Sequence, residues 1–345
     1  MNLKKAITYF SVLLMTGLLI YAYTVYRKMF TPNTNFESQT AYVLIPSDAS
    51  LQQSKDSIKK YVKNWEQFDA VFSQFEMDKN IIPGRFELKR GMTNFKIAQA
   101  LRKNTPVKLT FNNQENLEAL AKRIATQLEP SEEEILKVFS EEAFLKENDA
   151  TAAQALSLYM PNTYEFYWNV SALKIRNTLH KEYIRFWNEE RQQQAKAVGL
   201  TPVQVSNLAS IVQKETAKVD ERPKVAGAYL NRLNKDMLLQ ADPTVVYAKK
   251  LQLNNFDTII KRVYLKDLAI ESPYNTYRNK GLPPGPIAMP DISSIEAVLN
   301  PEKHDYIYFC ASVERIGYHE FAKTLEEHAR NRQKYTQWLN ENNIQ

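Results

Sequence analysis

Between Leu208 and Glu215 the sequence sets three apolar residues and one carboxyl at helical spacing. Leu208, Ile211, Val212 and Glu215 follow the i, i+3, i+4, i+7 rule and so share one helix face, which should point inward. Thr201-Pro202 opens this helix, with Pro at the first helical position. A carboxyl on an inward face is partly desolvated, which raises its pKa and lets it stay protonated near neutral pH. That is the property a general acid needs. Gln213 is expected on the opposite side and is uncharged. The same spacing is compatible with a plainer arrangement, in which the apolar stripe ends and Glu215 reaches solvent.

Downstream, Leu239 to Tyr247 (LQADPTVVY) reads as a polar turn leading into an apolar segment. Ser272 to Asn279 (SPYNTYRN) offers short polar groups and two aromatics in a loop, and Gly281 to Pro286 (GLPPGP) is a stiff loop of restricted backbone. Aromatic faces beside amides and hydroxyls suit a sugar, and they suit an ordinary core edge equally. Asp242 before Pro243 has the form of a turn-capping Asp. His319 and His328 are candidates for proton transfer, with satisfied structural histidines as the alternative.

The elements that must position these groups follow from periodicity. Asp220-Glu221-Arg222-Pro223 is expected to open a second helix with an acidic cap, burying Tyr229, Leu230 and Leu233. Asp305 to Ser312 is strand-like, with Cys310 a small buried hydrophobe. Gly317-Tyr318-His319 is a hairpin turn, and Glu326-Glu327-His328 begins a hydrophilic final helix. Before this region, one long helix is expected from Ser171 to about Lys196, closed by Gly199. Asn116 to Phe144 is helical, with a Ser131/Glu134 capping box, and Tyr159 to Trp168 (YMPNTYEFYW) is aromatic and turn-like. A smaller mixed domain precedes these. It has strands at Ala41–Ile45, Arg85–Lys89 and Val107–Phe111, and helices at Ser50–Lys63, Trp65–Met77 and Asn94–Lys103, the last capped by Thr93. The fold class is α+β. The expected organisation is a head and anchor at 1–30, a tether at 31–40, a small module at 41–111, a helical connecting region at 112–200 and a larger domain at 201–345.

Residues 6 to 26 carry no charge over 21 residues, enough to cross a bilayer core as a helix, with Tyr21, Tyr23 and Tyr26 where interfacial aromatics belong. Lys4 and Lys5 precede the run and Arg27 and Lys28 follow it. It is read as an uncleaved anchor with a cytoplasmic N-terminus and an exported body; no good small-x-small cleavage site follows it, and the only Cys is Cys310. These four bases account for four of the six net charges of the 345-residue chain, leaving 41 basic against 39 acidic residues from Thr31 onward. A nucleic-acid partner is therefore not expected. One Cys excludes a disulfide framework and a Cys-based zinc site, and the four His include no H-x-x-x-H pair, so neither metal nor cofactor is expected.

Several of these runs together resemble one family. LASIVQKETAKVDERPKVAGAYLNRL followed by LQADPTVVYA, then SPYNTYRNKGLPPGPIA and the terminal His319, Phe321, Thr324, Glu327 and His328, resemble the signature of the YceG-like (MltG) endolytic murein transglycosylases. YMPNTYEF resembles another segment of that family, and GRFELKRGMTNFKIAQALRKN its LysM-like subdomain. The blocks run in family order over about residues 41–335. The resemblance implies a single-pass protein of the bacterial cytoplasmic membrane with its body on the cell-wall side. It would cleave nascent peptidoglycan glycan strands between N-acetylmuramic acid and N-acetylglucosamine and would contact peptidoglycan synthases. The family's catalytic glutamate lies in an E-K-E-T motif; here the motif reads Gln213-Lys214-Glu215-Thr216, so the resemblance and the helical face both select Glu215. The implied chemistry is non-hydrolytic: Glu215 protonates the glycosidic oxygen and the muramyl C6 hydroxyl closes a 1,6-anhydro ring. Gln240, Asp242, Thr244, Tyr274, Asn275 and Tyr277 are then expected to line the groove, Asp242 as a stabiliser of developing positive charge. Glu327 joins the two histidines as a candidate. A lysozyme-like hydrolase and a non-catalytic wall-binding protein are the other readings. The chain departs from the family at Asn112-Asn113-Gln114-Glu115, at Asn162 and at Met289.

Overall fold

The computed structural model describes residues 3–79 and 81–342. The chain divides into two compact units. The first runs to Lys108 and takes in Gln127–Pro130 and Glu165–Ser171; the second comprises Leu109–Thr126, Ser131–Tyr164 and the chain from Ala172 onward.

The first unit begins with α1 (Leu3–Phe30), a 28-residue helix whose apolar side chains are exposed and which is long and apolar enough to cross a membrane. At its end the Phe30 ring lies 5.7 Å from Phe95, and Asn94 donates its side-chain amide to the Lys28 carbonyl at 2.7 Å. Residues 31–40, expected as a tether, are held. The buried Asn33 donates to Asn94 Oδ1 at 2.6 Å and accepts from the Asn64 backbone at 2.7 Å. Then follow β1 (Thr40–Ile45), α2 (Leu51–Lys59), α3 (Trp65–Gln74), β2 (Gly84–Lys89) and α4 (Asn94–Ala100). β1 and β2 pair antiparallel, with Thr40 opposite Lys89 and Ile45 opposite Gly84. Alternation sends Val43, Ile45, Phe86 and Leu88 into a core shared with Ile58, Phe68, Phe72 and Ile97. The helix α2 stops at Lys59, short of the expected Lys63, because the Tyr61 carbonyl accepts from the Asn35 backbone and the Lys63 backbone N–H donates to the Asn33 carbonyl instead.

The chain leaves this unit along β3 (Pro106–Phe111). The helices α5 (Leu117–Ala125), α6 (Glu132–Phe139) and α7 (Glu142–Glu147) follow, with the Ser131/Glu134 capping box in place. β4 (Asn162–Tyr167) then pairs with β3. This is the segment expected to be a turn. It is a strand in which Tyr164 and Phe166 alternate inward, as Leu109 and Phe111 do along β3. The single helix expected from Ser171 is two: α8 (Ala172–Phe186) and α9 (Glu189–Ala197). Trp187 is buried at the break, and Asn188 caps α9 by accepting from the Arg191 backbone at 3.0 Å.

α10 (Pro202–Glu215) is the centre of the second unit. Thr201 and Gln204 form its capping box, and Val203 and every residue from Val205 to Gln213 are buried. The stripe inferred from the sequence is thus part of a helix enclosed on all sides. It packs against α11 (Arg222–Asn234), α12 (Asp242–Gln252) and α13 (Ile292–Leu299). β5 (Tyr308–Ala311) and β6 (His319–Ala322) form an antiparallel hairpin, with Gly317 at φ +82° in its turn. α14 (Leu325–Glu341) packs on this hairpin. Two expectations change here. Glu221 makes no side-chain cap for α11, because β6 takes its carboxylate, and Cys310 is half-buried rather than enclosed.

Candidate active site

Glu215 is the last residue of α10, which delivers its carboxyl against α11. There the Tyr229 hydroxyl donates to Glu215 Oε1 at 2.5 Å. Burial raises the Glu215 pKa from 4.5 to about 7; the Tyr229 hydrogen bond opposes the rise, the Asp242 charge reinforces it and the Arg232 charge opposes it. The side chain keeps a partly accessible edge, so the carboxyl is walled by protein yet opens on free space. Arg232, one turn beyond Tyr229, is buried and fixed. Its guanidinium donates to the Ile307 carbonyl at 2.5 Å and the Leu239 carbonyl at 2.7 Å, tying the chain before β5 to the turn before α12.

Two cavities meet at this carboxyl. The larger, about 470 Å³, is lined by Glu115, Lys214, Glu215, Asp242, Tyr247, Lys250 and residues 260–263. The smaller, about 210 Å³, is lined by Glu215, Tyr229, Arg232, Gln240, Asp242, Tyr277, Phe309, Cys310 and His319. Glu215 and Asp242 line both and so stand at their junction. Asp242 is the first residue of α12, not its cap, and its Oδ1 accepts from the Tyr277 hydroxyl at 2.6 Å. This orients the carboxylate toward the cavities rather than into the turn. On the larger cavity, burial alone would raise the Glu115 carboxyl, but Lys250 at 2.6 Å and Lys214 at 3.2 Å hold it below the usual range.

Of the residues expected to line a groove, Gln240, Asp242 and Tyr277 line the smaller cavity. Gln240 takes φ +51° beside Arg232. Tyr274 packs its ring 4.7 Å from Tyr247 and faces a separate cavity of about 700 Å³. Thr244 and Asn275 line neither cavity. Both are fully buried, because the loop needs them: Thr244 bonds the Ala241 carbonyl and the Thr276 hydroxyl, and Asn275 bonds the Leu268 and Ile270 carbonyls. They hold the loop that carries Tyr277. His319 reaches the smaller cavity, with Glu221 Oε2 at 2.9 Å from its Nδ1 and Glu221 Oε1 accepting its backbone N–H. Glu327 is the capping-box residue of α14 and His328 stacks on Tyr308 of β5, so both act at the start of α14 rather than beside Glu215. Gln213 does not face away from the protein. It is buried and accepts from the Asp291 backbone and the Ser294 hydroxyl at the start of α13. Periodicity gives Tyr229 a core position and Arg232 no role; the sequence signal for this pair is a cation placed among Tyr229, Leu230 and Leu233 in a helix that must bury that run.

A profile of the YceG-like family matches residues 43–334. The chain belongs to the YceG-like family. Among its relatives is the endolytic murein transglycosylase of Bacillus subtilis strain 168, 30% identical over 338 residues, covering 91% of this chain and 90% of that protein. An endolytic murein transglycosylase of Streptococcus pneumoniae serotype 2 is 40% identical over 136 residues, 39% of this chain and 24% of that protein. A crystal structure of a YceG-like protein from Listeria monocytogenes superposes with a TM-score of 0.58 at 30% identity, covering 85% of this chain and 99% of that one. Every side chain placed around Glu215 in this YceG-like chain falls within the matched span.

Proposed function

We propose that this YceG-like chain is an endolytic lytic transglycosylase that cleaves nascent peptidoglycan strands between N-acetylmuramic acid and N-acetylglucosamine. The observation that carries the reading is the Glu215 carboxyl: enclosed, held by one phenol, with a pKa of about 7, at the junction of two cavities. The names of the Bacillus and Streptococcus relatives support it. At neutral pH such a carboxyl is protonated in much of the population and donates to the glycosidic oxygen as the C1–O bond breaks. Positive charge develops on the muramyl ring, and the Asp242 carboxylate, oriented by Tyr277, stabilises it. The Glu215 carboxylate then accepts the proton of the muramyl C6 hydroxyl, whose oxygen closes on C1. The products are a free 4-hydroxyl and a 1,6-anhydro end, and Glu215 regains its proton. An ordinary glycosidase uses two carboxyls on the reacting bond; with an internal nucleophile, no second one need activate water.

In this reading residues 1–30 anchor the chain in the bacterial cytoplasmic membrane, and the body lies on the cell-wall side. Residues 41–111 form a LysM-like glycan-binding module, 112–200 connect, and 201–345 form the catalytic domain. The separate core around β1 and β2 supports a small binding module, and the exposed apolar α1 supports an anchor. Peptidoglycan synthases are the proposed protein partners. The test is mass spectrometry of nascent glycan digested by the detergent-solubilised chain. Anhydro-muramyl ends are expected, whereas reducing muramyl ends sink the lyase reading in favour of a hydrolase. Glu215→Gln should lose activity by about a thousandfold or more, consistent with losing both a proton donor and its base form; unchanged cleavage overturns the assignment.

A further inference from the structure

The larger cavity beside Glu215 is more cationic than neutral sugars require. Lys214, Lys250, Lys261 and Arg262 line it. Glu115 accepts from the first two, at 3.2 and 2.6 Å. Lys261 and Arg262 lie on the irregular stretch between α12 and α13, are exposed, and form no ion pair among the described residues. The flanking Ile260 and Val263 line the same cavity, so the stretch turns both its apolar and its basic side chains to this space. The Arg262 guanidinium lies 5.9 Å from the Tyr264 ring centre, which braces it while leaving its edge donors free.

N-acetylated sugar rings carry no charge. The anionic groups of a peptidoglycan strand are carboxylates on the 3-O-lactyl arm of the muramyl ring, either the arm's own carboxylate or those of the peptide it bears. The cavity has Glu215 and Asp242 in its wall, so a ring seated there adjoins the cleaved bond. We infer that Lys261 and Arg262 recognise a carboxylate on the lactyl arm of the muramyl residue beside that bond. This rests on the glycan-cleavage reading above and adds a specificity to it: anionic strands are preferred. A planar guanidinium donates two parallel hydrogen bonds to a carboxylate, and the neighbouring ammonium adds a second charge. Each exposed pair contributes roughly threefold, so about tenfold together, and salt weakens it.

The test measures kcat/KM of the full-length chain on three glycan preparations: strands bearing peptide, strands stripped by an amidase to the lactyl carboxylate, and strands with all carboxyls converted to neutral amides. The wild type should favour carboxylate-bearing over neutral strands by about tenfold, through KM, with the gap narrowing as salt rises. In Lys261→Ala/Arg262→Ala the ratio should fall to about one, while Lys261→Arg should retain it. A preference confined to peptide-bearing strands assigns the peptide carboxylates; one shared by stripped strands assigns the lactyl group. A wild type indifferent to strand charge, or a double variant that keeps the preference, overturns the inference while leaving the cleavage reading standing. Failure of the wild type to cleave any preparation overturns the cleavage reading, and the inference with it.

Discussion

Tyr229 and Asp242 pull the Glu215 carboxyl in opposite directions after burial has raised it: the phenol favours the carboxylate and the neighbouring charge disfavours it. The two substitutions should therefore move the pH profile oppositely. Tyr229→Phe removes the opposing hydrogen bond, so the basic limb of the kcat profile should shift to higher pH. Asp242→Asn should shift it to lower pH, with slower turnover. Shifts in one common direction would refute this account of the site. The same carboxyl makes a stability prediction. Its folded pKa of about 7 lies above the ordinary 4.5, so the folded state binds a proton that the unfolded chain has lost between those values. Stability is fully present below 4.5 and falls as pH rises through 7. At pH 8 the cost is on the order of 2 kcal/mol, reduced from the full shift because the side chain is partly accessible. Glu215→Gln stays neutral and still accepts the Tyr229 hydroxyl, so in urea it should outlast the wild type at pH 8 and match it at pH 4.5. Spacing puts Glu215 on the same helix face as Leu208, Ile211 and Val212 without deciding whether its carboxyl is enclosed, and it gives none of its partners. Tyr229 and Arg232 come from another helix, and Thr244 and Asn275 turn inward to satisfy loop carbonyls that no periodicity reveals.

At the scale of elements, local signals located most helix starts. Thr93, Ser131, Thr201 and Thr324 all cap as their side chains allow. Local signals fail where a distant partner decides. β4 is a strand because β3 lies beside it, and the helix from Ser171 breaks where Trp187 is buried and Asn188 caps a new start. α10 looks one-faced in sequence only because Ser206, Asn207 and Ser210 are polar; each is buried, with Asn207 donating to the Pro283 carbonyl and Ser210 accepting from the Ile287 backbone. Gly227 shows how such packing outweighs propensity. In a helix interior Ala is favoured over Gly by roughly 0.5–1 kcal/mol. A Cβ at Gly227 would stand 2.5 Å from the Glu302 carbonyl oxygen and 2.8 Å from the His304 ring, so α11 would have to withdraw from the segment after α13. Overpacking of this kind costs about 1–3 kcal/mol. Gly227→Ala should thus be destabilised by about 1–2 kcal/mol net, read as a lower urea midpoint with an unchanged slope. A stabilised variant would show that the segment gives way freely.

For the whole molecule, the net charge of +6 carries no partner signal of its own, since four of those charges sit at the two ends of α1. A 28-residue helix spans about 42 Å at 1.5 Å per residue, longer than a hydrocarbon core of about 30 Å. Its last turn therefore has room to belong to the folded body, and it does: the Lys28 carbonyl accepts from the fully buried Asn94 amide, and Phe30 meets Phe95. This separates two truncations that a hydropathy profile would treat alike. A chain begun at Val25 loses the apolar length but keeps both contacts, so it should leave the membrane fraction and unfold at the urea midpoint of the full chain. A chain begun at Thr31 should also be soluble, but it strands the Asn94 donor and uncovers Phe95. An unsatisfied buried amide costs about 1–3 kcal/mol, so its midpoint should fall accordingly. Sedimentation of bacterial membranes and urea unfolding of the two soluble forms check this. A Val25 chain that still pellets with membranes would place the anchor elsewhere, and equal midpoints would mean that the end of α1 contributes nothing to the body it touches.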